Sequence, residues 1–344
     1  MSELPLVSIL IPCYNAQTWV RQSVESALGQ TYPNKEVIVV DDGSTDGSLD
    51  VLRSFGDAIQ LETGPNRGGN VARNRLLALS QGKWLSYLDA DDYLLPDKVQ
   101  RQIELVFSRG DLDIVYSPII YRVEATGEEL HFTIEDKEDA IANYLGWSAF
   151  STNSLLWRRA AVAEAGGWRE SQKVCQEHEL LSRLIIGGCR FALSDVCSTI
   201  YRFHGNQTVS NRSSETTTRQ RMMLTDRLAD YLHTTGQLTD KRRSAIARAR
   251  LESARSMYRV DRPYARDLMR KALRAGPIGP TPAAPRSYRL ALALLGFDGA
   301  EILARFKRAV VADPNWMYQT PAVAGVADPG SASATPTTRR PTKR

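Results

Sequence analysis

A chain of 344 residues, 42% hydrophobic and 24% charged, has room for one large or two small packed domains and the composition of an ordinary soluble globular protein. Its net charge of +5, with much of the excess in the C-terminal third, permits contact with acidic membrane surfaces or phosphorylated substrates. No basic stripe with interleaved aromatics is present, which argues against nucleic acid as a partner. Met1 to Pro5 lack the pattern of a secretion signal, and no run reaches the roughly 20 apolar residues of a spanning helix. Cys13, Cys175, Cys189 and Cys197 show no paired metal-ligand spacing. The expected setting is therefore a reducing cytoplasm, with any membrane contact peripheral, at the inner face.

Taken in order, Val7 to Ile11 is a short β-branched run stopped by Pro12 and reads as a central parallel strand, with Cys13 packed as a small apolar thiol at its end. A helix is expected over Ala16 to Gln30. A second buried strand, Glu36 to Val40, ends in Asp41-Asp42-Gly43-Ser44-Thr45-Asp46, where Ser44 or Thr45 would cap a helix reaching Phe55. A third strand is expected near Ala58 to Glu62 and a helix over Asn70 to Ser80. The apolar run Trp84 to Leu88 then ends in Asp89-Ala90-Asp91-Asp92. This alternation predicts a parallel sheet with helices on both faces, whose ligands bind beyond the carboxyl ends of the strands. Pro12 to Asn15, Asp41 to Asp46, Asn66 to Arg73 and Asp89 to Asp92 all fall at those ends.

Carboxylates crowded as in Asp89 to Asp92 repel one another and are costly to desolvate without a cation or an array of donors. A hard divalent ion, Mg²⁺ or Mn²⁺, is the simplest compensation, taking its other ligands from water and a substrate phosphate. The competing reading is a solvated turn capping the helix that begins near Pro96.

Beyond it, the spacing predicts a helix to Ser108, a strand over Asp113 to Ser117, and a hairpin over Ile119 to Phe132 turning at Thr126-Gly127. A strand follows over Ser151 to Trp157, a short helix over Arg159 to Ala165, a helix opening at Cys175-Gln176-Glu177-His178-Glu179, and a strand over Ser198 to Phe203. After Ser213 come Arg-rich helices near Thr216 to Thr234, Asp240 to Val260, Pro263 to Ala275 and Ser287 to Val311, with a linker at Ile278 to Pro285. The residues past Pro314 read as a disordered basic tail.

The segments V-S-I-L-I-P-C-Y-N, V-I-V-V-D-D-G-S-T-D, N-R-G-G-N-V-A-R-N and L-D-A-D-D together resemble, in order and spacing, the family 2 glycosyltransferases. These are inverting enzymes of the GT-A fold that use nucleotide-diphosphate sugars. The resemblance covers roughly Leu6 to Ser210, and the helices after Ser213 inherit nothing from it. It implies an α/β GT-A domain over 1–212, with a nucleotide-binding half (1–117) and an acceptor-binding half (118–212). A helical extension (213–314) and the tail (315–344) would follow.

By the same resemblance Pro12, Tyr14 and Asn15 match the turn lining the base pocket, and Asp42 the carboxylate that reads base or ribose. Arg73 matches a basic residue near the phosphates. Asp89 and Asp91 match the ends of the D-x-D motif, with Asp91 as the metal ligand and Asp92 as a substitute for it. Uridine is the base the resemblance favours, with guanosine and thymidine open, and His204, in Y-R-x-H, would approach the metal or the diphosphate. The family's Glu-Asp motif is replaced by Gln176-Glu177, so Glu177 falls where the catalytic base stands, with Glu179 its competitor on the same turn.

The expected reaction is metal-assisted, inverting transfer of a sugar to a hydroxyl of a glycan, a lipid-linked molecule or another acceptor, with one carboxylate as base. Trp147, Trp157 and Trp168 would stand on the acceptor side, with structural packing their default role and stacking on sugar rings the alternative. The helix Ser287 to Val311 would lie on an anionic membrane or pack on its own domain. Two rivals are weighed: a catalytically silent sugar-binding scaffold, and a nucleotidyltransferase, which would want a glycine-rich, lysine-bearing loop absent from Val7 to Asn15.

Overall fold

The structure, a computed structural model, describes residues 4–134, 137–147, 150–204, 214–276, 278–279, 281 and 283–311. The run V-S-I-L-I forms β1 (Val7–Cys13), nearly all of it buried, as expected of a strand covered on both faces. It pairs in parallel with β2 (Lys35–Asp41) and β4 (Trp84–Tyr87), Val7 standing opposite both Lys35 and Trp84. β3 (Gln60–Thr63) extends the sheet beyond β2. The crossovers are α1 (Val20–Leu28), α2 (Ser48–Arg53) and α3 (Gly69–Leu79). Ser44 and Thr45 do not cap α2, whose N-cap is Gly47; both are turned toward Asn15 instead.

The sheet is mixed rather than wholly parallel. Among the described residues its order is β10-β6-β9-β4-β1-β2-β3, with β6 at Ile114–Tyr116, β9 at Leu156–Arg158 and β10 at Phe191–Leu193. β9 is antiparallel to both β4 and β6. Its direction follows from where the chain enters: a short 3₁₀ turn, Thr152–Ser154, sits at the carboxyl end of β4, so the strand leaving it must run back down the sheet. A second sheet, β5-β11-β7-β8, combines β5 (Tyr93–Leu94), β7 (Ile120–Val123), β8 (Glu128–His131) and β11 (Thr199–Phe203). β7 and β8 form the expected hairpin, with Gly127 at φ 71° in its turn.

Four further helices surround the sheets: α4 (Lys98–Arg109), α5 (Ala140–Leu145), α6 (Arg159–Glu164) and α7 (Gln176–Ile186). The C-terminal part forms α8 (Ser214–Thr234), α9 (Asp240–Met257), α10 (Arg262–Ala275) and α11 (Arg286–Val311), the last interrupted at Gly296. These helices are not a loose appendage. Leu228 and Leu232 of α8 and Ile246 of α9 are buried in the same cluster as Tyr87, Trp157 and Leu180. The expected domain boundary at 212/213 and the expected tail lie outside the described residues.

Candidate active site

The loops after β1 and β2 are locked to each other at the rim. Asn15, at φ 50°, donates its backbone N–H to Ser44 Oγ at 3.0 Å, and its side-chain oxygen accepts from Thr45 N at 2.8 Å. Gly43 has φ 74°, and a Cβ there would lie 2.6 Å from Asn66 N, so only glycine lets this loop meet the one after β3. Asp42 makes that junction: its two carboxylate oxygens accept the backbone N–H groups of Arg67 and Gly68, each at 2.8 Å. Asp41 accepts from Thr63 Oγ1 at 2.8 Å. Beside them Tyr14 is half exposed and free to meet a planar ligand, and Pro12 is partly covered.

After β4, the carboxylates separate. Asp89 pairs with Arg73 Nη2 at 2.8 Å; Asp91 Oδ2 lies 3.2 Å from His204 Nε2; Asp92 is buried. Asp92 accepts from the Asn153 side-chain amide and, at 2.7 Å, from Arg202 N. It is thereby a fastening for the β9 and β11 ends rather than a substitute metal ligand, since both oxygens point away from solvent into donors. Burial, with Asp91 and Asp89 close by, pushes the Asp92 carboxyl well above its usual range, and burial raises Asp89 as well although Arg73 opposes it. Of the three, Asp91 is the one whose side chain stays 36% exposed.

Asn153, fully buried, ties the loop together, its oxygen accepting from Asp89 N at 2.8 Å while its amide serves Asp92. Nothing in the sequence marks it, because its partners lie 64 and 61 positions away. The same is true of Lys98. This buried ammonium lies under the loop, donating to Ser86 Oγ at 2.8 Å and Leu155 O at 3.2 Å.

Arg73 joins this loop to α7. Besides Asp89 it donates to Gln176 Oε1 at 2.9 Å, its guanidinium lies over the Trp168 ring, and its Nε is buried without a hydrogen-bond partner. Cys175, at φ 54°, turns the chain into α7, so that Gln176 and Glu177 open the helix facing Arg73. The two candidate bases then differ plainly. Glu179 is buried and spent on Arg183 at 2.7 Å and Arg169 at 3.2 Å. Glu177 is half-buried, bonded to His178 Nδ1 at 2.9 Å. Burial alone would raise the Glu177 carboxyl, but the hydrogen bond with His178, together with the backbone N–H at the start of α7 and the nearby Arg73 guanidinium, outweighs it and holds the group below the usual carboxylate range.

The tryptophans do not face an acceptor. Trp157 and Trp168 are buried, stacked edge to face against Tyr87, and Trp147 is buried against His178, so the three are packing elements. The four cysteines are free, and burial pushes the Cys13 thiol up to about 12, which leaves it inert.

Asp91 Oδ2 and His204 Nε2 converge from β4 and β11, an oxygen and an imidazole nitrogen of the kind a divalent cation accepts. Among the described residues no group of three or more His, Cys, Asp and Glu is gathered for a metal, so a six-coordinate ion here would need oxygens from substrate and water. With that proviso the two donors fit such an ion.

Residues 8–162 match the profile described as Glycosyl transferase family 2. Over 112 residues the chain is 40% identical to a putative teichuronic acid biosynthesis glycosyltransferase, TuaG of Bacillus subtilis, covering 31% of this chain and 44% of that one. Over 164 residues it is 38% identical to an uncharacterized glycosyltransferase of Haemophilus influenzae, covering 46% and 65%. The chain therefore spans roughly half the length of these relatives. Among solved structures it resembles S. aureus TarS 1-349 in complex with UDP-GlcNAc, at TM-score 0.63 and 15% identity, covering 88% of this chain and 92% of that one. It also resembles the mannosyltransferase PcManGT of Pyrobaculum calidifontis, in complex with GDP-Man and Mn²⁺, at TM-score 0.53 and 16% identity, covering 94% and 85%. At such identity the likeness is one of fold, a GT-A type α/β fold. Through residues 8–162 the chain belongs to glycosyl transferase family 2.

Proposed function

We propose that the chain transfers a sugar, with inversion, from a nucleotide-diphosphate sugar to a hydroxyl acceptor, and that Glu177 is the base. The observation that carries this reading is the span of Arg73, whose one guanidinium touches both Asp89 of the acidic loop and Gln176 at the mouth of α7. It sets the loop that would receive the diphosphate beside the carboxylate that would receive the acceptor's proton. Tyr14 and Asp42 serve the nucleoside, a uridine by preference, and each Asp42 oxygen keeps a second lone pair for a base or ribose donor.

Asp91 and His204 would hold Mn²⁺ or Mg²⁺, which when bound neutralises charge on the departing diphosphate. Arg73 adds fixed positive charge beside the same position. Glu177, held ionised, takes the proton of the attacking hydroxyl as the anomeric bond forms on the face opposite the leaving group, and one displacement inverts the centre. Glu177→Gln should cut transfer about 1,000-fold while donor KM stays within twofold. The check is steady-state release of nucleotide diphosphate from UDP-GlcNAc, UDP-glucose and GDP-mannose with Mn²⁺; wild-type turnover in the variant removes Glu177 from the role. The silent-scaffold reading would be favoured if no donor in the panel is turned over although UDP binds.

A lipid-linked acceptor at an anionic membrane surface is the acceptor class we favour. On α11, Tyr288, Ala291 and Ala300 are buried against α9 and α10, while Leu290, Leu294, Leu295, Ile302, Leu303 and Phe306 are exposed. The helix's acids are both paired, Glu301 with Arg255 in the interior and Asp298 with Arg266 at the surface, while Arg286, Arg305 and Lys307 are exposed. Among the described residues no helix is long and apolar enough to cross a membrane. Cosedimentation with phosphatidylglycerol vesicles should be lost in Leu294→Asp/Phe306→Asp, and unchanged binding removes this surface from consideration.

A further inference from the structure

We propose that His178 is a positioning residue for Glu177 and that helix α8, outside the segment matched by the family profile, holds His178 in register. The inference rests on Glu177 being the base. Successive residues of a helix project roughly 100° apart, so neighbours do not ordinarily meet side chain to side chain. Here His178 Nδ1 is nevertheless 2.9 Å from Glu177 Oε1. An ionised carboxylate only accepts hydrogen bonds, so Nδ1 must carry the hydrogen. That bond engages Oε1 and leaves Oε2 to an acceptor hydroxyl.

The imidazole cannot turn away because it is clamped. Trp147 lies against it face to face, centroids 3.9 Å apart and planes 13° from parallel, and the Tyr144 ring borders it at 5.6 Å. Tyr144 Oη also donates to His178 O at 2.9 Å, fixing the backbone of the same residue. Trp147 sits at φ 55°, a strained conformation for so bulky a side chain, costing on the order of 1 to 3 kcal/mol unless its surroundings enforce it.

α8 enforces it. The indole Nε1–H donates to Thr225 Oγ1 at 3.1 Å, and the Arg221 guanidinium stands 4.4 Å over the ring. With His178 covering one face of the indole at 3.9 Å, Arg221 must lie on the other. Arg221 and Thr225 are four apart and so share a face of α8. The result is a stack, Arg221 on Trp147 on His178, that ends at Glu177. The remaining charged neighbour on this turn, Glu179, is taken up by Arg183 and Arg169 and does not compete for His178.

Two substitutions separate positioning from mere packing. His178→Phe keeps a ring against Trp147 and removes the Nδ1 donor; His178→Asn loses the ring but places an amide N–H near the Nδ1 position. We expect kcat for whichever of UDP-GlcNAc, UDP-glucose and GDP-mannose the wild type uses to fall about 10- to 100-fold in the Phe variant, with donor KM within twofold. The Asn variant should recover to within about fivefold of wild type, and Thr225→Val should lower kcat about threefold. Wild-type kcat in His178→Phe, or an Asn variant slower than the Phe variant, overturns the proposal; wild-type kcat in Thr225→Val overturns the part assigned to α8. Glu177→Gln at wild-type rate instead sinks the assignment of the base, whatever the histidine variants do.

A second readout needs neither donor nor turnover. The chain has 4 histidines, so the His178 signals in a ¹⁵N-histidine-labelled sample can be assigned by their loss in His178→Asn. Nδ1 must be protonated at neutral pH, and a bare Nδ1 with the hydrogen on Nε2 contradicts the proposal.

Discussion

The loops that end β2 and β4 both deliver several aspartates to the rim, yet they dispose of the charge in different ways. After β2, Asp42 is satisfied by the amides of Arg67 and Gly68, and Asp46 by Ser48 and the Gln17 amide, so the donors are mostly backbone and hydroxyl groups of the rim loops and the start of α2. After β4 the donors are mostly side chains brought from elsewhere, Arg73 from α3, His204 from the end of β11 and Asn153 from the turn before β9, joined by the Arg202 backbone N–H. The first arrangement builds a scaffold on fixed donors, with only the spare lone pairs of Asp42 left for a nucleoside. The second leaves Asp91 partly exposed opposite an imidazole, with Asp89 and Asp92 near enough for its charge to raise them both. Acidic runs that look alike in sequence therefore serve a rigid wall in one case and a cation-ready edge in the other.

The contrast predicts opposite phenotypes. Asp91→Ala should lower metal-supported transfer by about 100-fold or more, with the melting temperature unchanged or higher because like charge is removed from Asp89 and Asp92. A drop in melting temperature with activity retained would make the β4 loop a wall as well. Asp42→Ala should instead lose about 2 kcal/mol of stability in urea titration, as the backbone N–H groups of Arg67 and Gly68 lose a charged acceptor, and weaken UDP binding about tenfold.

A smaller effect tests the ground beneath the second loop. Burial pushes the Lys98 ammonium down to about 7, so between that value and its ordinary value near 10.4 the unfolded chain binds more protons than the folded one. Stability should therefore rise with pH from about 7 toward about 10 and carry no Lys98 contribution to the slope below 7. Lys98→Met should be more stable than wild type by about 1 to 2 kcal/mol at pH 7, with the gain closing toward pH 10 in paired melts. A gain that does not change with pH would mean the lysine folds in charged.

What could be read from sequence was what is local. β1, β2 and β4 announce themselves as apolar runs, and each ends at a proline or aspartate, so the rim and its four polar clusters follow from periodicity alone. The hairpin β7-β8 was equally plain from Thr126-Gly127. The second sheet was not, because β5 is two residues long and its partner β11 lies more than 100 positions on. The same limit applies inside the site. Glu177 and Glu179 are indistinguishable in a helical register; only Arg169 and Arg183, folded against Glu179, separate them. Asp92 reads as a spare ligand until Asn153 and Arg202 are placed beside it, whereas the buried tryptophans take their default role of packing rather than that of sugar platforms.

The claim on which the account turns is that Asp91 grips a nucleotide diphosphate through a cation, and calorimetric titration of UDP with and without Mn²⁺ addresses it directly. Wild type should bind UDP at least about tenfold more tightly when Mn²⁺ is present, about 1.4 kcal/mol, and Asp91→Ala should show no such gain. An equal Mn²⁺-dependent gain in Asp91→Ala would contradict it.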